Sequence, residues 1–170
     1  EAEALVLLGD TQDLDDAIAV IKANNQRLSL LAGDDVYTLK TLKEGGDNAI
    51  DMVVAVPWSI NSAPASFIAV SQRLWKAPVN WRTAMSYDAA TALIQALRQT
   101  KETPNREAIA RILHSENFSM MGVSGKLSFE PSGDRIQESN LEHHLAQVTQ
   151  KGERSRSGTG YDFEPITLPK

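Results

Sequence analysis

Two adjacent carboxylates, Asp34 and Asp35, stand directly after the apolar run 28–32. Open α/β sheets bind ligands just beyond the C-terminal ends of their strands, so two carboxylates here stand at a ligand-binding position. The same pair also suits a solvated loop or the cap of a following helix. A second crowd of acids, Asp13, Asp15 and Asp16, lies where a helix begins. The positive end of the helix dipole accounts for them without a metal. His114, His143 and His144 are the candidate bases, but no serine is tied to any of them by context. Gly122-Val-Ser124-Gly125 departs from the nucleophile elbow because a glycine follows the serine directly. Gly125-Lys126 runs into Leu127, with Met at 120, so the phosphate-loop pattern fails too. No catalytic, metal or cofactor set is read, and binding without turnover is expected.

Composition narrows the classes further. The chain has 170 residues, 42% hydrophobic and 23% charged, an ordinary balance for a globular domain. A net charge of −5 argues against a dedicated nucleic-acid binder, which usually needs a basic face. The absence of cysteine removes disulfides, thiolate catalysis and Cys-based zinc sites. No apolar run approaches a membrane span. The opening EAEALVLLGD lacks the basic start and cleavage site of a signal peptide and enters a strand-like run by residue 4. It is expected to lie inside a longer protein.

The elements that must position these residues alternate in type. Apolar runs at 4–8, 28–32 and 50–56 read as strands, the first of them buried on both faces, separated by helices at about 14–24 and 38–44. That order predicts an α/β fold with a parallel sheet. Residues 57–63, PWSINSA, break the composition and read as a crossing segment. A helix is expected over 64–75, with Phe67, Ile68, Ser71, Leu74 and Trp75 on one side. The longest helix is expected over 81–100. Its stripe is Ala84, Tyr87, Ala90, Leu93, Ile94 and Leu97, with Asp88 a satisfied acid near the buried face. Thr103-Pro104 reads as a cap and first turn, with Ile109, Ile112 and Leu113 as that helix's stripe and its end near His114. Leu127 and Phe129 alternate with polar residues as a half-buried strand before the turn 131–134. Both helix and strand fit 141–148; as a strand it puts Leu141, His143, Leu145 and Gln147 on one face. Residues 152–160 read as a flexible loop, and the tail as an extended segment docked through Tyr161, Phe163 and Ile166.

Five stretches, in order, resemble the second half of the type I periplasmic binding proteins. They are AEALVLLGDTQDLDDAIAVIKAN, LLAGDDV, DMVVAVPW, SYDAATALIQAL and MGVSGKLSFEPSGDR. The branched-chain amino-acid binding proteins of ABC importers, and related receptor ligand-binding regions, are the most similar group. Tyr87-Asp88-Ala89 matches that family's Tyr-Asp-Ala helix, and Gly122, Gly125, Phe129, Gly133 and Asp134 match its glycine-rich hairpin.

The resemblance implies a two-lobed α/β protein with parallel sheets flanked by helices, present here as a partial or truncated version. Residues 1–56 would belong to the C-terminal lobe, 57–118 to a crossing and the N-terminal lobe, and 119–170 to a return with hairpin and tail. It implies a periplasmic or extracellular solute-binding protein for a small polar ligand, an amino acid or similar, that serves an ABC transporter permease. A ligand-sensing domain of a membrane receptor on the same fold is the alternative. By position, Asp35, with Asp34 beside it, would pair with a ligand ammonium. Asp10, Trp58, Trp81 and Arg82 would approach the cleft, with Trp58 or Trp81 as a wall. The family's aromatic beside the cleft strand is replaced by Leu8-Gly9-Asp10. Sheet edges left open by a partial fold would invite a homodimer.

Overall fold

Apolar strands and capped helices alternate through the first third of the chain and set its sheet. The computed structural model describes residues 2–76, 79–101, 103–136 and 144–167. The chain separates into two units, one of Glu1–Asn61, Trp75–Pro78 and His143–Lys170, the other of Ser62–Leu74 and Val79–Glu142. No helix among the described residues is long and apolar enough to cross a membrane.

The first unit is a five-stranded sheet. Strands β1 (Ala4–Leu7), β2 (Ser29–Ala32) and β3 (Val53–Val56) run parallel in that order. Helix α1 (Leu14–Asn24) joins the first two strands, and α2 (Leu39–Gly45) lies between the second and third. Apolar side chains from one face of the sheet and from both helices form the core: Ile21, Leu30, Ala32, Leu42 and Val54 are buried together. The expected burial of the first strand on both faces is not found. Burial alternates along β2, and Val6 and Leu31 are exposed, because the helices packed in this core cover only one face. The third strand is shorter than the expected 50–56. A 3-10 turn (Gly46–Ala49) ends just before that run, and a left-handed Asp51, φ 66°, interrupts its start.

Two caps fix the helix entries. Asp10 accepts from the Gln12 amide at 2.6 Å, while Asp13 accepts from the Asp10 amide at 3.3 Å, a reciprocal capping box. Thr38 accepts from the Thr41 amide at 3.0 Å and starts α2. At the far end of α1, the Asn24 side chain donates to the Leu28 carbonyl and accepts from its amide, pinning the turn into β2.

The segment after 143 completes the sheet. Here the strand reading holds: β6 (His144–Gln150) pairs antiparallel with β3, and β7 (Tyr161–Ile166) pairs with β6. Residues 141 and 143 of the expected stripe lie outside the described residues. The buried face is the alternate one, through Ala146 and Val148. The tail docks as expected, with the Phe163 ring stacked on Tyr37 at 4.1 Å and the Tyr161 hydroxyl donating to Asp47 at 2.6 Å.

The loop 152–160 was expected to be flexible from composition, yet it is tied to a buried acid. Asp162 accepts from the amides of Arg156 and Ser157, both at 2.9 Å, and from the Ser155 hydroxyl. Burial pushes its carboxyl up. The two amides, the Ser157 side chain and the Arg156 charge outweigh that and hold it below the usual carboxylate range. A lowered folded-state value means stability that is present above the unfolded carboxylate range and is lost as pH falls through the folded value. Thermal melts of wild type and Asp162→Asn should therefore differ at neutral pH and converge as the pH drops below about 4.

The second unit is helical with one small hairpin. It contains α3 (Ala65–Trp75), α4 (Trp81–Gln99), α5 (Arg106–Leu113), β4 (Met120–Gly122) and β5 (Gly125–Leu127). Asn105, not Thr103, caps α5 by accepting from the Ala108 amide at 2.8 Å, so Pro104 precedes the cap. The core gathers Ala92, Ala96 and Phe118 with Ile109, Ile112 and Leu113. Of the side chains expected on the inner side of α3, Phe67 and Ser71 are buried, whereas Leu74 and Trp75 are exposed.

One expectation is corrected here. The buried face of α4 is Ala84, Asp88, Ala92 and Ala96, while Tyr87, Leu93, Ile94 and Leu97 are exposed. Small side chains allow close approach of Phe118 and the hairpin, and the larger ones are left outside. The hairpin that follows residue 119 groups with α4 in the second unit. The reason is Asp88, 1% exposed, which accepts from the Val123 amide at 2.7 Å, from the Ser124 amide at 2.9 Å and from the Ser124 hydroxyl. Arg135 closes the hairpin over this acid, donating to the Ser124 hydroxyl and to the carbonyls of Ser124 and Lys126.

Candidate ligand-binding site

An open cavity of about 310 Å³ lies in the first unit, at the C-terminal ends of β1 and β2 and beside the first turns of α1. Its size falls at the lower end of small-molecule sites. Its position is where parallel strands and the helices joining them leave a crevice. Val6, Leu7, Leu8, Ala17 and Val20 supply apolar wall, and Asp10, Asp13, Asp16 and Asp35 supply carboxylates. No Lys, Arg or His is among the lining residues.

Local sequence explains how each acid is placed. The Gly33 amide donates to the Leu7 carbonyl at 3.2 Å, holding the turn after β2 beside the end of β1. Asp34 and Asp35 then enter a 3-10 turn (Asp34–Val36) anchored by buried Val36. Thr11 Oγ1 donates to Asp35 Oδ1 at 3.2 Å, which fixes one carboxylate oxygen from across the cavity mouth. Asp10 and Asp13 spend oxygens on the capping box, so they line the cavity as structural caps. Asp15 pairs instead with Lys40, and that contact raises the lysine's pKa.

Of the six residues singled out from the sequence, the cavity brings together Asp10 and Asp35. Asp34 adjoins the lining without belonging to it. Trp58 is 3% exposed within the first unit and does not line this cavity. Trp81 and Arg82 belong to the second unit, where the Arg82 guanidinium lies 4.3 Å from the centre of the Trp81 ring and the buried Trp81 indole N–H has no hydrogen-bond partner among the described residues. Thr11 was missed as a site residue. In the sequence it reads only as a capping side chain, and nothing local signals a contact 24 residues away.

No protein-family profile matches the chain, and no curated protein matches it either. Solved structures do match in fold. The leucine-binding protein LivK of Thermotoga maritima is 21% identical with a TM-score of 0.68, over 96% of this chain and 44% of that one. A type 1 periplasmic binding protein of Bordetella pertussis is 17% identical with a TM-score of 0.70, over 96% and 46%. A solute-binding protein of an ABC transporter from Rhodopseudomonas palustris, solved with 3,4-dihydroxybenzoic acid, is 16% identical with a TM-score of 0.64, over 95% and 43%. The chain spans less than half the length of these structures.

Proposed function

We propose that this chain, which has a type I periplasmic-binding-protein fold over less than half the length of its structural neighbours, is the part of a solute-binding protein that receives the ammonium end of a small polar ligand. The ligand class we favour is an amino acid or a close relative. Delivery would be to an ABC transporter permease, in the periplasm or outside the cell. The observation that carries this reading is Asp35, half-buried at the mouth of an apolar-walled cavity beyond two parallel strands, with one oxygen oriented by Thr11. A carboxylate in that setting forms a charge-assisted bond to an ammonium group more strongly than water competes for it. Asp34 and Asp10 add negative potential around it. Trp58, Trp81 and Arg82 stay candidate ligand contacts of the wider protein. The open edge of β1 further supports pairing with a second copy.

Calorimetric titration with L-leucine and other amino acids tests the reading. Asp35→Ala is expected to weaken binding by about 2 kcal/mol, roughly 30-fold, the scale of one hydrogen bond to a charged group. Asp35→Asn should fall between the two proteins. Equal affinity in wild type and Asp35→Ala would remove Asp35 from the site.

A further inference from the structure

The cavity of the first unit changes character along its length. Asp13, Asp16, Ala17 and Val20 line it at the steps of three and four that one helix face repeats, so they are one face of α1 and its cap. At a rise of about 1.5 Å per residue, that face runs about 10 Å from Asp13 to Val20. Helix α1 returns alongside β1 to reach the start of the parallel β2, so its later residues stand beside the earlier residues of that strand. Asp10, Asp13, Asp16 and Asp35 therefore gather at one end, beyond the strand, and Val6, Ala17 and Val20 form the other.

Each end rejects a carboxylate for its own reason. At the acid end, a carboxylate on the carbon that bears the ammonium sits among like charges, and no Lys, Arg or His among the described lining residues offsets them. The positive end of α1 does not offset them either, because the Asp10–Asp13 capping box and Asp16 already face it. At the apolar end, a carboxylate would lose water and gain no donor side chain. An ammonium suits the acid end. Asp35 Oδ2 and both Asp16 oxygens accept no hydrogen bond from the described residues, which leaves them open to its three donors. A metal ion is a poorer occupant, since no three His, Cys, Asp or Glu among the described residues are grouped to hold one. We propose that the cavity selects a primary alkylammonium that carries no carboxylate, its carbon chain lying along Val6, Ala17 and Val20. This rests on the cavity being the ligand site and narrows the class of ligand that it takes.

Three probes with one carbon skeleton separate the possibilities: L-leucine, 3-methylbutylamine, which lacks its carboxylate, and 4-methylpentanoate, which lacks its ammonium. Each is titrated calorimetrically into this chain. The amine is expected to bind about tenfold more tightly than leucine, as removal of a charge from beside several acids allows, and 4-methylpentanoate is expected not to bind. Asp16→Asn, an exposed position, should shrink the preference for the amine about threefold, and salt at about 0.5 M should shrink it too. Leucine bound as tightly as the amine, or more tightly, would overturn the preference and leave the amino-acid reading standing. A preference indifferent to both Asp16→Asn and salt would overturn its origin in the acid end. Binding of 4-methylpentanoate, or of none of the three, would overturn both readings.

Discussion

Asp88→Ala is expected to cost the second unit about 2–4 kcal/mol, the scale of removing one acceptor from three hydrogen bonds to a buried carboxylate. The carboxylate is fully buried and takes two backbone amides and a hydroxyl from the turn between β4 and β5. Alanine would take that acceptor from the part-buried amides of Val123 and Ser124, and each hydrogen bond to a charged group is worth about 1.5–3 kcal/mol before solvent replaces part of it. It would also leave Arg135 bonded to a Ser124 hydroxyl that has lost its own acceptor. Asp88→Asn keeps one acceptor oxygen but turns an NH₂ group toward donors, so its cost should be smaller without vanishing. Denaturant unfolding followed by hydrogen exchange at 120–127 checks this. The account requires the hairpin amides to lose protection with the variant, while β6 and β7 keep theirs.

Gly122→Ala should be nearly as damaging for a steric reason. A Cβ on Gly122 would overlap Leu127 Cδ1 and sit 2.5 Å from Asp88 Oδ1. Both neighbours are themselves held, Leu127 by burial and Asp88 by its hydrogen bonds, so neither can yield without loss. Overpacking of this kind costs about 1–3 kcal/mol, and here the hydrogen bonds displaced with it bring the expected total to about 2–4 kcal/mol. The two changes should not add. With Asp88 already alanine, one of the two obstacles is gone, and the double variant should be more stable than the sum of the single effects allows by about 0.5–3 kcal/mol. Chemical denaturation of the four proteins in the cycle gives that number. Strict additivity would mean that Gly122 and Asp88 do not share one packing site.

Much of the fold was legible because short-range chemistry set it. The start of α1 follows from Asp13 and the acids after it, which read as helix-start residues, while the reciprocal bond from Asp10 and the left-handed Asn25 emerge only in the fold. The strands around 4–8 and 28–32 were legible from apolar runs alone. Burial was harder to read, since it depends on what lies across the element. The stripe of larger side chains on α4 looked like a core face, but the chain packs the alanine side inward and leaves Ile94 and Leu97 outside. Composition made 152–160 look flexible, and only the fold places Asp162 where it can organise Arg156 and Ser157. At the site, Asp35 stood out by its place after a strand. Thr11 did not, because its contact with Asp35 spans 24 residues, across a helix and a strand.

Native mass spectrometry of the purified 18.6 kDa chain, with and without excess L-leucine or a related amino acid, tests the central claim most directly. The account predicts one small-molecule adduct per chain in the wild type and loss of that adduct in Asp35→Ala. A wild-type chain that stays bare at millimolar ligand, or an adduct that survives Asp35→Ala unchanged, would contradict it.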